Sequence, residues 1–79
     1  MRYETTTTLA PDAALAAAER FFGGSFGLTV RLRSPQMLGL EGGGGHVAIS
    51  IAGSPPTTLE IETREWDIPV REFIADLPH

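Results

Sequence analysis

The sequence predicts an α+β domain: strand, helix, four strands, helix, with an antiparallel sheet and both helices packed on one face of it. Three observations carry this. The strand-like segments alternate between apolar and polar residues, the pattern of a sheet with one side covered and one side wet. Two other segments repeat their apolar residues at helical spacing. Each element then has one apolar surface, and a two-layer stack is the simplest way to bury them all. The prediction treats residues 1–79 as one domain.

Residues 2–9 read as the first strand, with Tyr3, Thr5, Thr7 and Leu9 opposite Arg2, Glu4, Thr6 and Thr8. The threonine run favours extended structure because β-branched side chains suit a pleated surface. Residues 11–22 read as an alanine-rich helix with Pro11 in its first turn. Either Ala10 or Asp12 caps it, and Ala14, Leu15, Ala18, Phe21 and Phe22 form its apolar stripe. Gly23 and Gly24 are expected to end it, since glycine accepts the left-handed conformation at a helix C-terminus.

Residues 28–33 alternate Leu28, Val30 and Leu32 against Thr29, Arg31 and Arg33. Residues 37–41 form a short strand in which Gly39 signals a bulge or a close backbone approach. Residues 46–52 alternate Val47, Ile49 and Ile51 against His46, Ala48, Ser50 and Ala52. Residues 57–66 form the last strand, with Leu59, Ile61 and Thr63 opposite Thr58, Glu60, Glu62, Arg64 and Trp66. Asp67 is placed to cap a final helix over residues 68–77, whose Val70, Phe73, Ile74 and Leu77 repeat at i, i+3, i+4, i+7.

Composition excludes several function classes. The formal charge is -4, with six basic residues against ten acidic ones. Nucleic-acid binding needs a positive footprint, so no nucleic-acid partner is expected. Cysteine is absent and one of the two histidines is the last residue, so no metal centre and no disulfide are expected. No stretch reaches the roughly 18 apolar residues of a membrane span, and residues 1–4 do not resemble a signal segment. A cytoplasmic protein with no membrane partner and no cofactor is the expectation. A core this small is often reinforced by association, which favours a homodimer.

The glycine run at residues 42–45, followed by His46, invites comparison with a phosphate loop. Such loops deliver anions to a helix N-terminus, and the nucleotide-binding version needs a lysine after the last glycine. Here the period-two pattern of a strand follows instead, so a hairpin is expected. His46, the sole internal histidine, falls on the wet face.

That face also gathers Arg2, Glu4, Arg31, Arg33, Glu60, Glu62 and Arg64, an interleaved charge pattern that suits either solvated ion pairs or a self-complementary contact. Strict alternation adds Trp66 to the same face, where an exposed indole would be an interaction hot spot. The competing reading folds the indole over the start of the last helix, with Arg71 stacked on it. Glu60 and Glu62 lie two apart on one face, but no cleft and no nucleophile elbow accompany them. No catalytic residue is assigned.

The element order resembles the helix-grip or TATA-binding-protein-like topology, whose larger relatives include START-like lipid-binding domains. The segments LEGGGGHVAISI (residues 40–51) and LEIETREWDIPVREFI (residues 59–74) also look like those of a small family of uncharacterised bacterial proteins. Neither resemblance implies an activity or assigns a functional residue. The expected function is a non-enzymatic protein-interaction or homodimerisation module using Trp66, Arg31, Arg33, Arg64, Glu60, Glu62 and His46. The alternative is a helix-grip-like binder of a small apolar ligand held between helices and sheet.

Overall fold

A computed structural model describes all of residues 1–79. The chain runs β1 (Arg2–Thr7), α1 (Pro11–Ala18), a π-helical segment (Glu19–Ser25), β2 (Thr29–Ser34), β3 (Met37–Gly42), β4 (Gly45–Ala52), β5 (Thr57–Arg64) and α2 (Asp67–Asp76). The five strands form one antiparallel sheet in the order β1-β5-β4-β3-β2. α1 packs on β4, α2 on β5, and the π-helical segment on β2 and β3. The expected α+β architecture is present, with the helices on the apolar face. Neither helix is long and apolar enough to cross a membrane.

The alternation that predicted the strands also fixes the core. Val47, Ile49 and Ile51 of β4 and Leu59 and Ile61 of β5 point inward and meet Leu38 and Leu40 of β3. Ala14, Leu15 and Ala18 of α1 and Val70 and Phe73 of α2 close over them, with Phe22 and Leu77. Three threonines are buried as well: Thr7, Thr57 and Thr63. A buried hydroxyl is costly unless bonded, and each of these donates to a main-chain carbonyl. Thr7 Oγ1 reaches Pro78 O at 2.6 Å, Thr57 Oγ1 reaches Leu9 O at 2.7 Å, and Thr63 Oγ1 reaches His46 O at 2.8 Å. No buried side-chain polar atom lacks a partner.

The first helix does not stop at Gly23 and Gly24. It widens at Glu19 into a π-helical turn that runs through both glycines to Ser25. The wider turn seats Phe21 and Phe22 edge-on at 5.0 Å, and both rings meet Phe73, at 5.6 and 5.3 Å. The chain turns away at Gly27 instead, whose φ of 70° suits glycine. Leu28 N–H then donates back to Phe22 O at 3.0 Å.

β2 departs from simple alternation. Val30 pairs with Leu40, but Leu32 pairs with Gly39 and Arg33 with Leu38, so one extra residue enters between Val30 and Leu32. A bulge of this kind shifts the facing of everything after it. Leu32, expected in the core, is turned outward and is 47% exposed. Arg33, expected on the wet face, is turned to the helix side, where its Nε donates to Glu19 Oε1 at 2.7 Å. Gly39 makes room for the shift, since a Cβ there would lie 3.3 Å from the Leu32 Cβ.

This assignment is testable by urea denaturation of paired alanine variants. Leu40→Ala, which empties a core position, is expected to cost about 2–5 kcal/mol. Leu32→Ala, on the outer face, is expected to stay within about 0.5 kcal/mol of the parent. Equal losses at the two positions would contradict the bulge.

Candidate functional site

The side of the sheet away from the helices has nothing packed on it. Its residues follow from the register as rows running across the strands. One row holds Arg64, His46, Glu41 and Thr29. The next holds Arg2, Glu62, Ala48, Gly39 and Leu32, and the next Glu4, Glu60, Ser50, Met37 and Ser34. Thr6, Thr58 and Ala52 complete the face. The middle strand therefore supplies a floor of small side chains. Acidic residues rise on the β1–β5 side, and Leu32 and Met37 on the β2–β3 side.

One histidine–carboxylate contact and one ion pair form on this face. His46 Nε2 lies 3.1 Å from Glu62 Oε1, and Arg31 Nε lies 3.1 Å from Glu41 Oε1. Their side chains are between 34% and 63% exposed, so each pair contributes little to stability. The imidazole thus has a carboxylate within reach, as a general base would need. It lines a shallow, open depression of about 420 Å³ together with Arg31, Glu41, Gly44 and Arg64. A shallow cleft of about 280 Å³ lies beside it, lined by Arg2, Glu4, Ala48, Ser50, Glu60 and Glu62. Glu60 and Glu62 face solvent there, and Glu4 sits directly opposite Glu60 on the neighbouring strand. No cluster of three or more His, Asp or Glu side chains is arranged to hold a metal ion.

Of the residues expected at a contact surface, Arg31, Arg64, Glu60, Glu62 and His46 share the uncovered face, while Arg33 and Trp66 do not. Arg33 is diverted by the bulge. Trp66 is diverted by Glu65, whose φ of 77° breaks the strand and reverses the chain. The strand consequently ends at Arg64, and the indole turns into the groove beside the glycine run. Trp66 Nε1 donates to Gly42 O at 2.9 Å, and the ring meets Phe26 edge-on at 5.8 Å. The stacking partner is Phe26 rather than Arg71. Leu32 and Met37 belong to the uncovered face and were missed. Strict alternation assigned Leu32 to the core, and no residue in β2 announces the bulge.

The four glycines have separate reasons. Gly42, the last residue of β3, pairs with Gly45, the first of β4. Gly43 and Gly44 form the two-residue turn, with φ of 57° and 79°. Positive φ at both central residues is what the right-handed twist of a tight hairpin demands. Gly43 also lies against the indole, where a Cβ would come 2.9 Å from the Trp66 ring. At Gly45 a Cβ would overlap the Arg64 carbonyl. The run is thus a tight hairpin clasped by the protein's own tryptophan. Gly44→Asn, at an open position where asparagine tolerates positive φ, is expected to change stability by no more than about 0.5 kcal/mol. Gly45→Ala is expected to cost about 1–3 kcal/mol by overpacking. Urea unfolding followed by Trp66 fluorescence reads both.

Asp67 is the first residue of α2 rather than its cap, and no side chain caps that helix. Its carboxylate instead accepts the Tyr3 hydroxyl at 2.9 Å, tying β1 to the start of α2. Desolvation raises the Tyr3 pKa above the ordinary 10.0, helped by the hydrogen bond and the charge of Asp67 and opposed by Arg71. A raised pKa means the fold favours the neutral phenol. That contribution is complete below pH 10.0 and is lost as pH rises through the folded-state value. Tyr3 is the only tyrosine, so tyrosinate absorbance isolates it. The midpoint is expected above 10.0 in the parent and lower in Asp67→Asn.

No protein-family model matches the chain, and no curated protein matches it.

Proposed function

We propose that the chain is a non-enzymatic association module, a protein-interaction or homodimerisation domain that works through the uncovered side of its sheet. One observation carries the reading. Both helices cover the same face, and the opposite face presents two large apolar side chains, Leu32 and Met37, 47% and 41% exposed, beside charges of both signs. Exposed apolar groups rimmed by polar ones mark contact surfaces, and mixed charge suits a two-fold contact because the same patch must complement itself. The helix-grip-like alternative, a small apolar ligand between helices and sheet, has less support. Phe22, Phe73, Leu40, Ile49 and Ile61 already fill that space. The proposed setting is the cytoplasm, in keeping with a chain that has no cysteine to gain from an oxidising compartment.

Light scattering across a concentration series tests the association. The mass is expected to rise above that of the 8.5 kDa chain as concentration increases, and to fall back when salt screens the charged contacts. A strict monomer at every concentration would contradict the homodimer form.

A further inference from the structure

The two edges of the sheet are unlike each other. An unprotected edge is a template for another strand, and proteins block edges with bulges, charge or proline. The β2 edge is blocked by the bulge at Arg31, with Arg33 drawn off toward Glu19. The β1 edge is blocked by charge alone, Arg2 and Glu4, and these are of opposite sign. Its pairing with β5 is regular from Arg2 to Thr7, without bulge or proline.

Hydrogen-bond alternation says which β1 groups point outward. Met1 and Thr63 exchange both of their bonds: Met1 N donates to Thr63 O and Thr63 N–H donates to Met1 O. Narrow and wide pairs alternate along an antiparallel ladder, so Tyr3, Thr5 and Thr7 bond to β5 while Arg2, Glu4 and Thr6 point their amides and carbonyls away from it. Thr8 continues the outward series, and its N–H is taken by Pro78 O at 3.2 Å. The edge is therefore closed at Thr8 and open from Arg2 to Thr6.

The two charged side chains along the open part, Arg2 and Glu4, have no ion-pair partner. Glu4 stands directly opposite Glu60, a like-charge arrangement that destabilises a sheet. A cation beside Glu4 would relieve it, and the chain carries one two residues away.

We infer that the β1 edges of two copies pair antiparallel about a two-fold axis at Tyr3, running two five-stranded sheets into one of ten strands. This rests on the homodimer form of the reading above but places that contact at the sheet edge, so the exposed face with Leu32 and Met37 stays free for a protein partner. Arg2 then exchanges both backbone bonds with Glu4 of the second copy, and the two-fold repeats the exchange. Each Arg2 guanidinium lies in line with Glu62 of its own chain and Glu4 of the other, so it offsets the Glu4–Glu60 repulsion. Shifting the axis to Glu4 would set two Glu4 side chains against each other. The joined sheet leaves Leu32 and Met37 uncovered.

Sedimentation of variants with a circular-dichroism check of folding tests this. The Glu4 amide points outward, so Glu4→Pro is tolerated as proline on an edge strand while losing a donor to the second copy. The parent is expected to dimerise and Glu4→Pro to be monomeric. Arg2→Glu is expected to weaken the dimer by ~tenfold or more, and Arg2→Glu combined with Glu4→Arg to restore it. Ala48→Arg, at the centre of the uncovered face, is expected to leave the dimer intact. A monomeric Ala48→Arg with a dimeric Glu4→Pro would overturn the edge assignment while the association reading stands. A monomeric parent would overturn the edge pairing and, with it, the homodimer form of the association reading. If Glu4→Pro fails to fold, the charge exchange decides, and absence of restoration overturns the pairing.

Discussion

The bond from the Trp66 indole to the Gly42 carbonyl ties together, at one end of the sheet, three pieces of chain. One is the β3–β4 hairpin, whose turn lies against the ring. The second is the junction between β5 and α2, which delivers the ring. The third is the exit of the π-helical turn, which supplies Phe26. A core of this size has little surplus, because a short chain buries a modest share of its surface. Fixing the loops at one end of the sheet by an internal anchor is one answer, and the Thr7 and Thr57 hydroxyls do the equivalent near the other end by bonding Pro78 and Leu9.

The clasp also settles what the glycine run is for. A phosphate loop presents amides to an empty space ahead of a helix. Here one side of the turn is filled by an aromatic ring, the other opens on a shallow depression, and a strand rather than a helix follows. Gly43 and Gly45 are small because tryptophan and the Arg64 carbonyl press against them. His46 follows near the start of β4, partly buried, its ring bonded to Glu62. The free side of the sheet and its free edge carry the functional reading proposed above.

Most of the fold was legible in the sequence because alternation and helical spacing report burial directly. Residues such as Val47, Ile49, Leu59 and Ile61 are core on either evidence. The failures have local backbone causes. An extra residue in β2 turned Leu32 out and Arg33 in, and alternation cannot register an insertion that no glycine or proline marks within the strand. Gly39, on the neighbouring strand, was the one available sign, and it was read as such without locating the bulge. Glu65 carries positive φ although it is neither glycine nor asparagine, so nothing in its identity warned that Trp66 would leave the strand's alternation. The π-helical turn through Gly23 and Gly24 follows from the need to seat two adjacent phenylalanines, a tertiary demand invisible to helix propensity. The candidate surface was legible in part: the charges were placed correctly where the strands were regular, and the apolar residues among them were missed.

The anchor and the surface depend on each other. With Trp66 turned inward, the uncovered face loses its one aromatic candidate, and what remains there is small residues, mixed charge and two aliphatic side chains. The measurement that bears most directly on this arrangement is hydrogen exchange at the Trp66 indole N–H, followed by NMR through a denaturant series. With the indole bonded to Gly42 and packed against Gly43 and Phe26, exchange is expected only through global unfolding, at the same free energy as the amides of β4. Exchange at the rate of an exposed loop, independent of denaturant, would contradict the clasp and return Trp66 to the surface.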